Sequence, residues 1–199
     1  MTDISVHPTD LGEFRIEGET LVRYNGKSTC VVIPDTVKVI GKCAFWLSKN
    51  LTSVVIPDSV TDIDEQAFEC CGALERVVLP KGLNSIGYRA FFGCRKLNDL
   101  ALPASISRIA SYAFGECEAL TAIEIPKNIR LLGEYAFSGC VGITAVDIPA
   151  TIANIGPRAF YGCRAVRHIT IPKKYKGRMK NLFEDVKLGL FSGVKITYL

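Results

Sequence analysis

Apolar and polar positions follow one template along this chain, Leu-x-x-Val-x-Ile-Pro-x-x-Val-x-x-Ile-Gly-x-x-Ala-Phe-x-Gly-Cys, which returns every 23 residues. One copy starts at Leu74, and others at Leu51, Leu97, Leu120, Ile143 and Val166. Pro34, Pro57, Pro80, Pro103, Pro126, Pro149 and Pro172 hold one register position. Ala-Phe pairs ending at Phe45, Phe68, Phe91, Phe114, Phe137 and Phe160 hold another. A fixed period of this length is the mark of a solenoid, in which each unit buries its apolar side against its neighbours.

Within a repeat, the alternation of Val77 with Leu79, or of Ile123 with Ile125, predicts a short strand with one face buried. Proline has no N–H for ladder pairing, so it ends that strand. From Ile86 to Phe91 the apolar spacing predicts a turn or two of helix or 3₁₀ structure, entered at Gly87, Gly133 and Gly156. The expected fold class is therefore α/β and strand-rich: a right-handed solenoid with strands on a concave wall and helical segments behind it. The aligned phenylalanines are expected to form a stacked spine.

The chain is read as one domain over residues 1–199. Residues 1–33 form an N-terminal cap, 34–172 the repeats, and 173–199 a C-terminal cap with a basic segment. Phe14–Ile16 and Leu21–Tyr24 flank Glu17-Gly18-Glu19 and predict a β-hairpin, with a second tight turn at Asn25-Gly26 leading into a strand at Thr29–Ile33. At the other end a short amphipathic helix around Arg178–Lys187 and a closing strand at Val194–Tyr198 are expected.

The run Val-x-Ile-Pro-x-x-Val-x-x-Ile-Gly-x-x-Ala-Phe resembles the BspA-type leucine-rich-repeat family, as does the entry segment LVRYNGKSTCVVIP. The resemblance covers roughly residues 14–172. It implies a leucine-rich-repeat fold. It also implies kinship with largely bacterial surface and secreted proteins, some of them linked to adhesion to host matrix proteins or to other bacteria. The family carries no shared catalytic residues and no defined ligand motif. A cell-surface or secreted location follows from the resemblance, although the start of this sequence has neither the basic nor the apolar region of a signal peptide.

Hydrophobic residues make up 48% of the chain, yet no apolar run approaches the length of a membrane-spanning helix. The net charge of +4 is uneven: Lys173, Lys174, Lys176, Arg178 and Lys180 lie together without an acid. Such a cluster attracts phosphate or anionic lipid, and its plainer reading is the solvated edge of the cap. The repeats lack the basic stripe of a nucleic-acid reader, and a monomer is expected.

Cys71, Cys94, Cys117, Cys140 and Cys163 share one register position and should stack in a column. Structural thiols in a small buried slot are the first reading. Disulfides between neighbours stay open, since Cα separations of ~4.4–6.8 Å permit them. Metal ligation lacks both a Cys-x-x-Cys pair and a nearby histidine. A catalytic Cys163–His168 pair would require an exposed thiol, so no catalytic residue, cofactor or metal is expected.

The residues between the inward-facing strand positions are the better candidates for a site. Those flanking and between Val54 and Ile56, with their equivalents, give outward lanes containing Val55, Val78, Glu124 and Asp147, and Arg76, Asp99 and His168. Asp99, Glu124 and Asp147 mark an acidic centre among small residues, with Val55 and Val78 at an apolar end. The expectation is a non-enzymatic module that binds a protein or glycan through this concave face. A structural spacer within a larger surface protein is the alternative. Trp46 and Leu47 are expected to fold over the neighbouring turn.

Overall fold

A computed structural model describes residues 11–183 and 193–199. The buried positions are those the template demands. Val54, Ile56, Val60, Ile63, Ala67, Phe68, Cys71 and Leu74 of one repeat are sealed from solvent, and their equivalents recur along the chain. The six register phenylalanines stack ring on ring, with centroids 4.7 to 5.7 Å apart. Tyr24 and Phe14 extend the stack at the front and Phe183 at the back. Each turn alone has nothing to cover its apolar interior, so the stack of turns is the core.

Two walls of parallel strands flank this spine. One is a continuous eight-stranded sheet. It begins with the antiparallel hairpin Phe14–Glu17 and Thr20–Tyr24, then adds Val39–Ile40, Asp62–Ile63, Ser85–Ile86, Arg108–Ile109, Leu131–Leu132 and Asn154–Ile155. The opposite wall is divided. Cys30–Val32, Ser53–Val55, Arg76–Val78 and Asp99–Leu100 form one four-stranded sheet. Ile123–Glu124, Ala145–Asp147, His168–Ile171 and Lys195–Tyr198 form another.

The second wall differs from the expectation of helix. Ile86 ends a two-residue strand, Ser85–Ile86, and overlapping turns follow it. The cause is a left-handed residue just before each Ala-Phe: Cys43, Gln66, Arg89, Tyr112, Tyr135 and Arg158 all have φ between 53° and 58°. A second such position follows, held by Leu47, Cys70, Gly93, Glu116, Gly139 and Gly162. Left-handed residues break helical propagation. They turn alternate N–H groups toward the next turn, so the amides of Gln66, Phe68 and Cys70 reach the carbonyls of Tyr88, Ala90 and Phe92 at 2.7–2.8 Å. Gly133 is no helix entrance either. It lies where successive turns touch, and a Cβ there would collide with the Ser111 amide. With strand ladders on both walls, the bending expected from a wide helical wall loses its physical basis.

The front hairpin forms as expected. The strand expected at Thr29–Ile33 is present as Cys30–Val32, but no tight turn forms at Asn25-Gly26, because the link crosses from Thr20–Tyr24, paired with Val39–Ile40, to the opposite wall. At the back, the basic segment is a 3₁₀ stretch, Lys173–Arg178, running into a single helical turn, Met179–Leu182. Residues 184–187 of the expected helix lie outside the described residues. The closing strand is present as Lys195–Tyr198.

Candidate functional site

The outward lanes of the divided wall lie as the alternation requires. Ser53, Arg76 and Asp99 are partners in register across one half. Val55 stands beside Val78 on the same half. On the other half Glu124 is directly opposite Asp147, which is opposite Thr170, while Ala145 is opposite His168 and His168 opposite Lys195. Glu124, Asp147 and His168 are all exposed.

The expected acidic centre is thereby parted. Asp99 is ion-paired with Arg76 at 2.9 Å on its own half-sheet. No pairing joins Asp99–Leu100 to Ile123–Glu124 among the described residues, and Leu100 and Leu102 are only partly covered at the break. What stays together is Glu124 and Asp147, two carboxylates on neighbouring strands ~4.8 Å apart, with no ion pair to either among the described residues. Beside the break a depression of about 310 Å³ is lined by Leu102, Ala104, Glu124, Pro126, Lys127 and Asn128.

One group at the head of the arginine lane was not singled out from the sequence. Cys30 is exposed next to Ser53, and the hydroxyl of Ser53, helped by Thr52 and Thr29, lowers its thiol below the usual range. The register signal was available, since Cys30 lies 23 residues before Ser53. The five column cysteines are buried and all eight cysteines are free thiols. Among the described residues no group of three or more His, Cys, Asp or Glu converges as a metal site would need. Cys163 does not serve His168: its thiol donates to the Phe137 carbonyl at 3.2 Å, and burial pushes it up to about 12.

The basic segment is engaged in capping. Lys174 Nζ donates to the Ile152 carbonyl at 2.6 Å, Tyr175 Oη to Ala153 at 2.9 Å and Arg178 Nη2 to Ile155 at 3.1 Å. In earlier turns the carbonyls equivalent to those of Ala153 and Ile155 receive amides from the following turn, as Ser107 does from Arg130 and Leu132 from Gly156, while those equivalent to Ile152 receive hydroxyls, as Val37 does from Ser59 and Leu83 from Ser105. These side chains therefore close the open edge of the eight-stranded sheet.

Trp46 and Leu47 do not fold over their neighbours. They are 43% and 39% exposed, with Leu47 in the left-handed region at φ 58°. They border a depression of about 400 Å³ at the front of the solenoid.

A parallel solenoid with strand-bearing turns threaded on a phenylalanine spine defines the leucine-rich-repeat class. The chain belongs to the BspA type leucine rich repeat family, whose repeat region matches residues 22–140 and 84–195 in six copies. Its fold is similar to that of a leucine rich repeat protein from T. pallidum, at 24% identity over 97% of this chain and 83% of that one, with a TM-score of 0.62. It is also similar to a leucine rich cell surface protein from Faecalibacterium prausnitzii A2-165, at 30% identity and a TM-score of 0.63, over 78% of this chain. That match covers 52% of the Faecalibacterium protein, about half its length. No curated protein matches the chain. No helix among the described residues is long and apolar enough to cross a membrane.

Proposed function

We propose that this chain is a non-enzymatic binding module of a bacterial surface protein, engaging a protein or glycan ligand through the outward face of its divided wall. The observation that carries this is the pairing of Glu124 with Asp147. Like charges directly opposite on adjacent strands destabilise a sheet, and neither carboxylate is in an ion pair among the described residues. Ala122 and Ala145 flank them with small side chains, so a ligand backbone or ring comes close. A basic group on the ligand removes the repulsion and gains two charge-assisted hydrogen bonds. Arg76 and Asp99 neutralise each other and contribute to the rim, while His168, Val55 and Val78 extend the contact toward the two ends.

The test is a binding screen against matrix proteins and glycans with wild type and a Glu124→Gln/Asp147→Asn variant. Affinity should fall roughly tenfold or more in the variant, while its resistance to urea rises by about 0.2–1 kcal/mol as repulsion is removed. Ligand binding that survives the double substitution unchanged would refute the strand-face reading.

A further inference from the structure

The depression at the front of the solenoid is explained by neither the fold nor the strand-face site. It is lined by Arg23, Lys27 and Lys49, by neutral Asn25, Ser28, Ser48 and Asn50, and by Trp46 and Leu47. None of the three cations is ion-paired among the described residues, and all are exposed. No carboxylate lines it. Glu13 borders it, its carboxylate accepting from two lining residues, Tyr24 Oη at 3.2 Å and Ser28 Oγ at 3.4 Å.

Among the described residues, Trp46 lacks the ring contacts of its register mates. Phe92 and Tyr161 occupy the same register slot in later turns and are packed: Arg89 lies 4.3 Å over the Phe92 ring, and the Tyr161 ring meets Tyr135 at 5.8 Å. Among the described residues no ring or cation packs on the Trp46 indole. Leu47 sits where Gly93, Gly139 and Gly162 are found in other turns, and it accepts left-handed backbone strain while staying exposed. Strained, exposed apolar residues beside a depression point to a ligand rather than to the fold.

We infer that this depression is a binding site for an anionic glycan, a sugar chain bearing sulfate or carboxylate groups. The face of a pyranose ring, with its axial C–H groups, packs on the exposed part of the indole. Arg23, Lys27 and Lys49 take the anionic substituents by charge-assisted hydrogen bonds, and the asparagine and serine side chains take hydroxyls. A volume of about 400 Å³ is within the range of small-ligand pockets. The site is independent of the strand face, whose Glu124 and Asp147 would repel the same ligand.

Trp46 is the only tryptophan in the chain, so its emission reports this site alone. Wild type is titrated with a heparin-derived oligosaccharide, its desulfated and carboxyl-reduced (neutral) form, a polyuronate fragment, and inorganic sulfate at matched charge. Saturable change in tryptophan emission with the sulfated or the uronate chain, absent with the neutral sugar and free sulfate, is the expected result, and the better binder of the two identifies the anionic group. Calorimetric affinity should drop roughly tenfold or more in Trp46→Ala, as for a stacked anchor. It should drop similarly in Lys27→Ala/Lys49→Ala, which also loses salt dependence. Glu124→Gln/Asp147→Asn should bind these chains as wild type does. The proposal fails if neither chain binds, if binding leaves the emission unchanged or survives Trp46→Ala, or if free sulfate reproduces the response, which would mark mere charge attraction.

Discussion

The thiol of Cys94 donates to the backbone carbonyl of Phe68 at 3.2 Å, bridging one turn of the solenoid to the next. The same bond recurs from Cys71 to Phe45, Cys117 to Phe91, Cys140 to Phe114 and Cys163 to Phe137, all at 3.1–3.3 Å. Each cysteine thus fills a buried slot and ties the spine residue of the preceding turn. Alanine would fit the slot but could not donate.

These thiols should make stability pH-dependent on the alkaline side. Burial pushes Cys71 and Cys163 from 9.0 up to about 12, and drives Cys94, Cys117 and Cys140 well up. In the unfolded chain they ionise near 9.0, while the folded protein keeps the protons. The unfolded state then binds fewer protons, so stability is full below pH 9.0 and declines as pH climbs from 9.0 toward about 12. Each thiol contributes a slope of up to about 1.4 kcal/mol per pH unit in that window. Urea titrations at stepped pH should show the decline, and Cys117→Ala should make it shallower. A flat midpoint through this range would contradict the assignment.

Thiol labelling of the native protein at neutral pH should rank the cysteines by exposure, with half-buried Cys43 and Cys70 between exposed Cys30 and the buried column. Cys30, exposed and lowered by its hydroxyl neighbours, should react first. The column should react only on unfolding, and mass spectrometry of the labelled peptides would show any departure from that order.

Replacing Cys70 by glycine should stabilise the fold by about 0.5–1 kcal/mol, because Cys70 holds φ 60° at the position that Gly93, Gly139 and Gly162 fill without strain. The reverse change, Gly139→Ala, should cost a similar or larger amount, since its φ of 71° disfavours any side chain. Thermal unfolding of both variants is the measurement. Equal midpoints would show that the left-handed positions carry no strain.

Truncating the spine at Phe114→Ala should cost roughly 3–5 kcal/mol, because both faces of the ring are covered, by Phe91 and by Phe137, each at 5.3 Å. Tyr175→Phe should cost about 1 kcal/mol by stripping the hydroxyl from the Ala153 carbonyl. Hydrogen exchange should localise that loss to the last turns, since repeats report mainly on their neighbours. A uniform rise in exchange along the chain would instead mean that the cap governs the whole stack.

The repeat, the buried set, the phenylalanine spine and the cysteine column were legible in the sequence. Each depends on a side chain being apolar at a fixed interval, and periodicity reports that directly. The front hairpin and the closing strand were legible for the same reason, from alternation and turn residues. The second wall was misread as helical because the spacing of Ile86, Ala90 and Phe91 also suits a helix. The left-handed backbone at Arg89 and Cys70, which forbids one, belongs to residues with no intrinsic preference for it.

The candidate sites were less visible, because they depend on which charges meet across turns. The sequence placed Arg76, Asp99, Glu124 and Asp147 in outward lanes. Register then bound Arg76 to Asp99, left Glu124 facing Asp147, and opened the wall between the two pairs. Composition left the basic segment as an anion site or, by the plainer reading, the solvated edge of the cap; the carbonyls of Ile152, Ala153 and Ile155 draw Lys174, Tyr175 and Arg178 inward instead of leaving that edge solvated. Sequence alone set what must be buried, since hydrophobic burial depends on residue type. Tertiary structure alone set which polar groups are left without partners, because that depends on the distances between turns.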